Sequence, residues 1–348
     1  MNTSIIGWDI GGAHLKAARL KIADQSLQVQ QVSCPLWQGI DKLDQAFDDI
    51  MSQFPVGDHY HAVTMTGELV DCFETRQQGV FAIIASLLRH FPSDRCWIYA
   101  GTAGFLEPRA VGENDIMLIA SANWLASASW AASRQSQALF VDMGSTTTDL
   151  LLIQNHRLQN IGYTDYERLI SGELVYTGVV RTAVMAVAQD AVFNGQSMGL
   201  MTEYFATMAD VYRLTGDLND LHDQGPTADG AEKTPIASAR RLSRMTGYDF
   251  NANDWSLWLD FAGYLKQLQK KRLSAACQRQ LLRCSGSGDP VLIGAGVGRF
   301  LLKELAVELG LQYVDFNDSL PGSGPGATLD SGDCAPAAAL ANLAQRLL

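Results

Sequence analysis

The chain has 348 residues, 47% hydrophobic and 18% charged, a balance that forms packed cores and excludes disorder, with length enough for two domains. Its formal net charge of −11, with no basic stripe interleaved with aromatics, makes duplex nucleic acid or an anionic membrane surface a poor partner. Acidic proteins still bind phosphates, through local backbone loops and a divalent metal.

Met1–Ser4 opens straight onto an apolar run without a basic leader, and no window reaches the roughly 18 uninterrupted apolar residues of a membrane-spanning helix. The six cysteines are scattered with no Cys-x-x-Cys pair, which predicts reduced thiols. Together these features predict a cytoplasmic protein with no membrane partner.

The first element, Ile5–Ala18, is an apolar β-type run, then Asp9-Ile10-Gly11-Gly12, then a second run from His14 through Lys16, which predicts a hairpin. Tyr60–Gly67 predicts a strand ending in a polar turn, with His59 and His61 at the surface. Gly79–His90 has helical periodicity, Cys96–Gly101 strand character, and Ile116–Arg134 small and apolar residues at helical spacing. Ala138–Ile153 then repeats the opening grammar: apolar run, Asp142-Met143-Gly144-Ser145-Thr146-Thr147-Thr148-Asp149, apolar run. The two aspartates lie about one domain's length apart, so the chain reads as a duplicated architecture. Ser171–Asp190 and Thr202–Arg213 read as helices, and Asp217–Thr234, rich in Gly, Asp and Pro, as a long loop of the kind that covers a site or makes a subunit contact. Pro235–Thr246 and Asp254–Leu282 are amphipathic helices, with Trp255 and Trp258 packing the second onto the core. Pro290–Phe316 gives strand, glycine turn, helix and strand, and Ala335–Leu348 a closing helix. Alternating strands and helices define an α/β protein.

Two Asp-x-Gly hairpins suit a phosphate chain. Glycine lets backbone N–H groups approach, at Gly11 and Gly12 and again at Gly144, while Ser145, Thr146 and Thr147 add hydroxyl donors. Asp9 and Asp142 are candidate Mg²⁺ ligands, direct or through water, and Lys16 a candidate partner for an anionic oxygen. Val291–Phe300 carries Gly294, Gly296 and Gly298 after a strand; Arg299 falls where a dinucleotide fingerprint needs its third glycine, so a turn against adenosine or a similarly flat ligand fits better. The six histidines form no metal-ligand cluster in sequence.

The set, in this order, resembles the actin, sugar-kinase and heat-shock-chaperone ATPase superfamily, from the Asp9–Lys16 hairpin to the closing helix. The resemblance implies a duplicated, ribonuclease H-like α/β fold. Its first domain spans residues 1–135, completed by helix 335–348; the second spans 136–334, with a helical insertion at about 165–285. Within it the chain is similar to the hydantoinase/oxoprolinase group, and to its small members encoded with tetrahydromethanopterin-linked one-carbon genes. Met65–Leu69, Gly172–Thr182, Ala206–Arg213 and Thr227–Gly230 carry that likeness. It implies a Mg²⁺-dependent transferase of methanofuran biosynthesis. Such an enzyme joins an aminomethyl-furanmethanol diphosphate to the phenol of γ-glutamyltyramine and releases diphosphate. The tyramine phenol, with a free pKa near 10, needs a base, and the candidates are Glu68, Glu173 and His14; Arg181 is a candidate phosphate fork. Kinase-type first hairpins usually place Thr or Ser after the glycine pair, whereas Ala13 and His14 stand here, which weakens ATP hydrolysis and suits another diphosphate. ATP remains the second candidate ligand. An ATP-dependent amidohydrolase or kinase, and a non-catalytic nucleotide-binding regulator, are the alternatives, and a homodimer is compatible with all three.

Overall fold

The computed structural model describes residues 3–285, 289–320 and 329–348, so the first two residues of the segment read as lacking a leader lie outside the described residues. The chain divides into two compact units: Met1–Ala138, Ile153–Glu167 and Val314–Leu348 form one, and Leu139–Leu152 with Arg168–Tyr313 the other.

The first unit opens with the expected hairpin, β1 (Thr3–Ile10) and β2 (His14–Lys21), followed by β3 (Leu27–Ser33), α1 (Asp41–Gln53) and β4 (Asp58–Met65). Then come α2 (Arg76–His90), β5 (Cys96–Tyr99), β6 (Phe105–Leu106), α3 (Ile116–Ile119) and α4 (Asn123–Arg134). The sheet order is β3-β2-β1-β4-β5-β6, with β1 antiparallel to β2 and parallel to β4. β1 is buried from Ser4 to Ile10, as a central strand covered on both faces must be. His59 and His61, expected at the surface, are buried instead. His61 stacks on Phe91 and its Nδ1 accepts from Trp8 Nε1 at 3.1 Å, and burial pushes its pKa down to about 3. An imidazole held neutral this way behaves as an aromatic core residue. The helix expected over Ile116–Arg134 breaks at Ser121, whose φ of 53° lies in the left-handed region and cannot continue a right-handed helix.

The second hairpin is β7 (Gln137–Met143) and β8 (Thr148–Gln154), with β9 (Arg157–Leu158) added to β8. After α5 (Asp165–Ser171) come β10 (Leu174–Val175), α6 (Val184–Val187) and a small sheet of β11 (Asp190–Phe193) and β12 (Gln196–Gly199). α7 (Met208–Thr215), α8 (Pro235–Thr246), α9 (Trp255–Leu281), β13 (Val291–Ala295), α10 (Arg299–Glu308) and β14 (Tyr313–Asp315) complete the second unit's elements, and α11 (Ala335–Leu343) closes the first unit. The second sheet runs β10-β8-β7-β13-β14, repeating the plan of the first: a hairpin, an outer strand on its second arm, and later strands beside its first arm. Trp258 is fully buried in this unit's core with Trp255 packed against it, as their spacing on α9 requires.

The segment Ser171–Asp190, expected to be a helix, is mostly turns and irregular chain around the short β10 and α6. Its amides are spent elsewhere: Val179 donates to the Gly144 carbonyl at 3.0 Å, while Val180 and Arg181 donate to that of Ser145 at 3.0 and 2.9 Å. α7 begins at Met208 rather than Thr202, because Thr207 and Asp210 close a capping box there.

Candidate functional site

In the second unit, β7 delivers Asp142, 8% exposed, to the head of a tight turn closed by the Gly144 amide on the Thr147 carbonyl at 2.9 Å. Ser145 and Thr146 set their hydroxyls 3.4 Å apart on this turn. Residues 177–182 form a strap against it. With the carbonyls of Gly144 and Ser145 already accepting from Val179, Val180 and Arg181, an anion meeting the turn does not confront two unpaired acceptors. The strap comes close enough to require glycine: a Cβ on Gly178 would stand 2.5 Å from Ser145 C and Thr146 N. Gly178 donates to Thr182 Oγ1 at 2.7 Å, and Thr148 Oγ1 donates to the Thr177 carbonyl at 2.7 Å. Behind the strap, fully buried Gln269 donates to Thr177 Oγ1 at 2.8 Å and the Gly178 carbonyl at 2.9 Å, and accepts from the Tyr212 hydroxyl.

Of the glycines in and after β13, Gly296 and Gly298 lie against this turn's root and Gly294 against Tyr313. Cβ atoms at Gly296 and Gly298 would collide with Asp142 and Met143, and one at Gly294 would stand 2.6 Å from the Tyr313 ring. Protein neighbours thus occupy the side-chain directions of all three glycines, which is why glycine is required there. Glu173 is fully buried, yet Ser171 Oγ donates to its Oε2 at 2.9 Å and Arg283 to its Oε1 at 3.1 Å. That arrangement serves a buried ion pair and leaves neither oxygen unengaged. Arg181 is exposed and touches the turn through its backbone amide.

In the first unit Asp9, 7% exposed, ends β1 opposite Lys16 on β2 and Thr64 on β4. Asn123 Nδ2 donates to Asp9 Oδ1 at 3.4 Å, its amide oriented by the Trp124 backbone N–H at 2.8 Å. The turn over Gly11 and Gly12 closes with the Gly11 amide on the His14 carbonyl at 3.0 Å. Lys16 Nζ donates to the Asp333 carbonyl at 2.7 Å, so its ammonium already has a partner. The Thr66 amide donates to the Ile10 carbonyl at 2.9 Å, which brings the Thr66–Leu69 turn against this hairpin. Glu68 on that turn is 1% exposed, and burial pushes its pKa up to about 7. Ser121 Oγ lies 3.0 Å from Glu68 Oε1 and 3.1 Å from Asp165 Oδ2.

The structure therefore groups Asp142 with Gly144–Thr147 in one unit, and Asp9 with Gly11 and Gly12 in the other, with Glu68 on the turn beside them. Sequence reasoning missed Gly178, Thr182, Gln269, Asn123, Ser121 and Asp165. Only Gly178 had a signal, an isolated glycine among β-branched residues, which marks close backbone approach. Among the described residues no group of three or more His, Cys, Asp or Glu side chains is arranged to hold a metal, and no helix is long and apolar enough to cross a membrane.

Residues 59–327 match the sequence profile of a family described as Hydantoinase/oxoprolinase. The chain is 31% identical over 316 residues, 89% of its own length and 91% of the relative's, to the (4-{4-[2-(gamma-L-glutamylamino)ethyl]phenoxymethyl}furan-2-yl)methanamine synthase of Methanocaldococcus jannaschii. The synthase of the same name from Methanococcus vannielii is 31% identical over 113 residues, 32% of this chain and 50% of that relative. Among solved structures, nucleotide-free acetone carboxylase superposes with a TM-score of 0.55 at 10% identity, covering 88% of this chain and 67% of that one. A glucokinase of the ROK family from Streptomyces griseus gives 0.47 at 13% identity over 99% of each chain. The repeated sheet plan and the likeness to acetone carboxylase place the chain in the actin-like ATPase and sugar-kinase type of α/β fold.

Proposed function

The chain belongs to the hydantoinase/oxoprolinase family, and on that footing we propose that it is a transferase of methanofuran biosynthesis. It joins an aminomethyl-furanmethanol diphosphate to the phenol of γ-glutamyltyramine. The relative's printed product carries a phenoxymethyl-furan linkage, an aryl ether of the kind this reaction forms. The furan-methyl carbon–oxygen bond breaks, diphosphate departs with the electron pair, the phenol oxygen takes its place on carbon, and the phenol proton goes to a protein acceptor.

The observation that carries the reading is the strapped turn Gly144–Thr147 beside buried Asp142. It supplies a hydroxyl-rich anion cradle whose carbonyls are tied back before any ligand arrives. Donors already fixed in place stabilise a departing diphosphate without reorganising during reaction. Mg²⁺ suits this donor set. A hard cation that keeps several waters and enters with a diphosphate needs one or two carboxylates, and Asp142 beside this turn would hold it, directly or through water. When bound it neutralises charge on the leaving diphosphate.

The test supplies purified protein with Mg²⁺, the furan diphosphate and γ-glutamyltyramine, and follows diphosphate release with the ether mass. Diphosphate and ether in equal amounts support the transferase. ADP formed from ATP with an amide substrate moves the chain to an amidohydrolase or kinase, and tight ATP binding without product to a regulator. Asp142→Asn lowers turnover at least 100-fold while circular dichroism stays native. Retained turnover in that folded variant removes Asp142 from the mechanism.

A further inference from the structure

Glu68, Ser121 and Asp165 meet within the first unit, although they come from the turn after β4, the break between α3 and α4, and the start of α5. A serine hydroxyl has one proton to donate, and ionised carboxylates only accept. With both acids ionised, one of the two contacts to Ser121 Oγ would be oxygen against oxygen with no proton between them, inside a buried site. The arrangement is satisfied when Glu68 carries a proton and donates it from Oε1 to Ser121 Oγ, while Ser121 donates its own to Asp165 Oδ2. Burial is the largest influence and pushes Glu68 up to about 7, with the Asp165 charge adding to it, whereas the Glu68 backbone amide, the Ser121 hydroxyl and the Arg76 charge pull the other way. Arg76 lies 3.7 Å from Asp165, whose side chain is 26% exposed, so the chain of groups leads from a buried acid toward solvent.

Two further features mark the trio. Glu68 Oε2 is buried and has no hydrogen-bond partner, an expensive state for a carboxyl oxygen that no ligand ever meets. Ser121 holds a left-handed φ of 53°, a backbone cost that sets its hydroxyl between the two acids.

We propose that Glu68, Ser121 and Asp165 form a proton relay that takes the proton of an acidic hydroxyl and passes it to Asp165; in the reaction proposed above, on which this rests, that hydroxyl is the acceptor phenol. The phenol proton arrives on Oε2 as Oε1 gives its proton to Ser121 Oγ, and the original Ser121 proton moves to Asp165 Oδ2. Three O–H bonds break and three form. The electron pair of the phenol O–H bond stays on the phenol oxygen and becomes the new carbon–oxygen bond. Glu68 remains neutral throughout, which is why a protonated buried acid serves here where a charged base would not. Asp165, paired with Arg76, is the net acceptor and returns the proton to water.

The test has one arm that needs no substrate. Infrared spectroscopy of the protein follows the carboxylic-acid C=O band that Glu68→Gln removes. The relay predicts that this band titrates near pH 7, moves to lower pH in Asp165→Asn and to higher pH in Ser121→Gly. Glycine accepts the left-handed backbone at position 121, so this variant deletes the hydroxyl without straining the fold. In the second arm, Ser121→Gly lowers kcat for ether formation at least tenfold with KM unchanged, and the rate in H2O/D2O mixtures changes from a multi-proton to a single-proton dependence. A Glu68 carboxyl fully ionised at pH 6, or a Ser121→Gly enzyme with native kcat and native dependence on D2O, overturns the relay. If the wild type forms no ether, the transferase reading falls and the infrared arm alone decides: a protonated Glu68 that shifts as stated in both variants upholds the proton-sharing chain, and an ionised one ends it.

Discussion

The hairpin turn of the first unit and that of the second share their Asp-x-Gly grammar but have been finished differently. The Gly144–Thr147 turn carries hydroxyls and is tied back at two carbonyls by a strap close enough to demand Gly178. The Gly11–Gly12 turn continues into Ala13 and His14, and its nearby ammonium, on Lys16, gives one of its donors to the Asp333 carbonyl. Around it lie acids and an amide, Asp9 with Asn123, and Glu68 on the neighbouring turn. On the reaction and relay proposed above, the repeated scaffold would serve two chemistries, one copy holding the anion and the other surrounded by groups that hold or move protons. Fold supplies position, and the residues grafted at each position supply function.

The sharpest way to break this contrast is Gly178→Ala. The new methyl would press on the backbone of Ser145 and Thr146 at 2.5 Å, where no flexible side chain can yield. Overpacking of this kind costs about 1–3 kcal/mol, and the displaced turn should lose at least 100-fold in diphosphate-releasing turnover. Unchanged activity would show that the strap does not set the turn's geometry. Gln269→Leu tests the same strap from behind. It strands the Tyr212 hydroxyl, Thr177 Oγ1 and the Gly178 carbonyl in a buried layer, at about 1–3 kcal/mol for each group left unpaired. A raised KM for the diphosphate substrate should accompany a lower melting temperature; a lower melting temperature with native KM would make Gln269 purely structural.

The acid side is sharpened by pH. The Glu68 pKa is raised from 4.5 to about 7 on folding, so between those values the folded chain binds more protons than the unfolded one. Stability contributed by the protonated acid is present at low pH and is lost as pH rises toward and through 7. Glu68→Gln removes that loss. Its melting temperature relative to wild type should therefore rise between pH 5 and pH 8, by a few °C for an upper limit of about 3 kcal/mol. A difference that stays flat across this range would mean that Glu68 is not held protonated.

Both hairpins were legible in sequence because each is specified locally: apolar runs, an Asp-x-Gly turn and a return run within about 16 residues. The strap was not, because its conformation is fixed by amides donating to carbonyls more than thirty positions earlier, while the Leu, Val and Tyr spacing of the surrounding Ser171–Asp190 segment imitates a helix. His61 misled for a related reason. Its polarity marks a surface residue in isolation, and only the Trp8 indole and the Phe91 ring reveal a neutral core ring. Glu68 could be named as a base candidate from its place after a strand, but Ser121 and Asp165 could not. They stand 53 and 97 positions away in segments with no local chemistry to announce them.

Gly12→Ala has the smallest expected effect and bears most directly on whether the two turns are equivalent. A Cβ there meets only the Val70 Cγ1 methyl, at 2.7 Å, and Val70 is half-buried, so a shift of that side chain relieves the contact. Such an adjustment costs roughly 0.5–1.5 kcal/mol, and diphosphate turnover should fall by less than threefold. If the Gly11–Gly12 turn also held the anion, a methyl group at position 12 would crowd the ligand as well as Val70. A loss approaching that of Gly178→Ala would therefore restore the Gly11–Gly12 turn as a second phosphate contact, and the division between an anion-holding copy and a proton-handling copy would have to be given up.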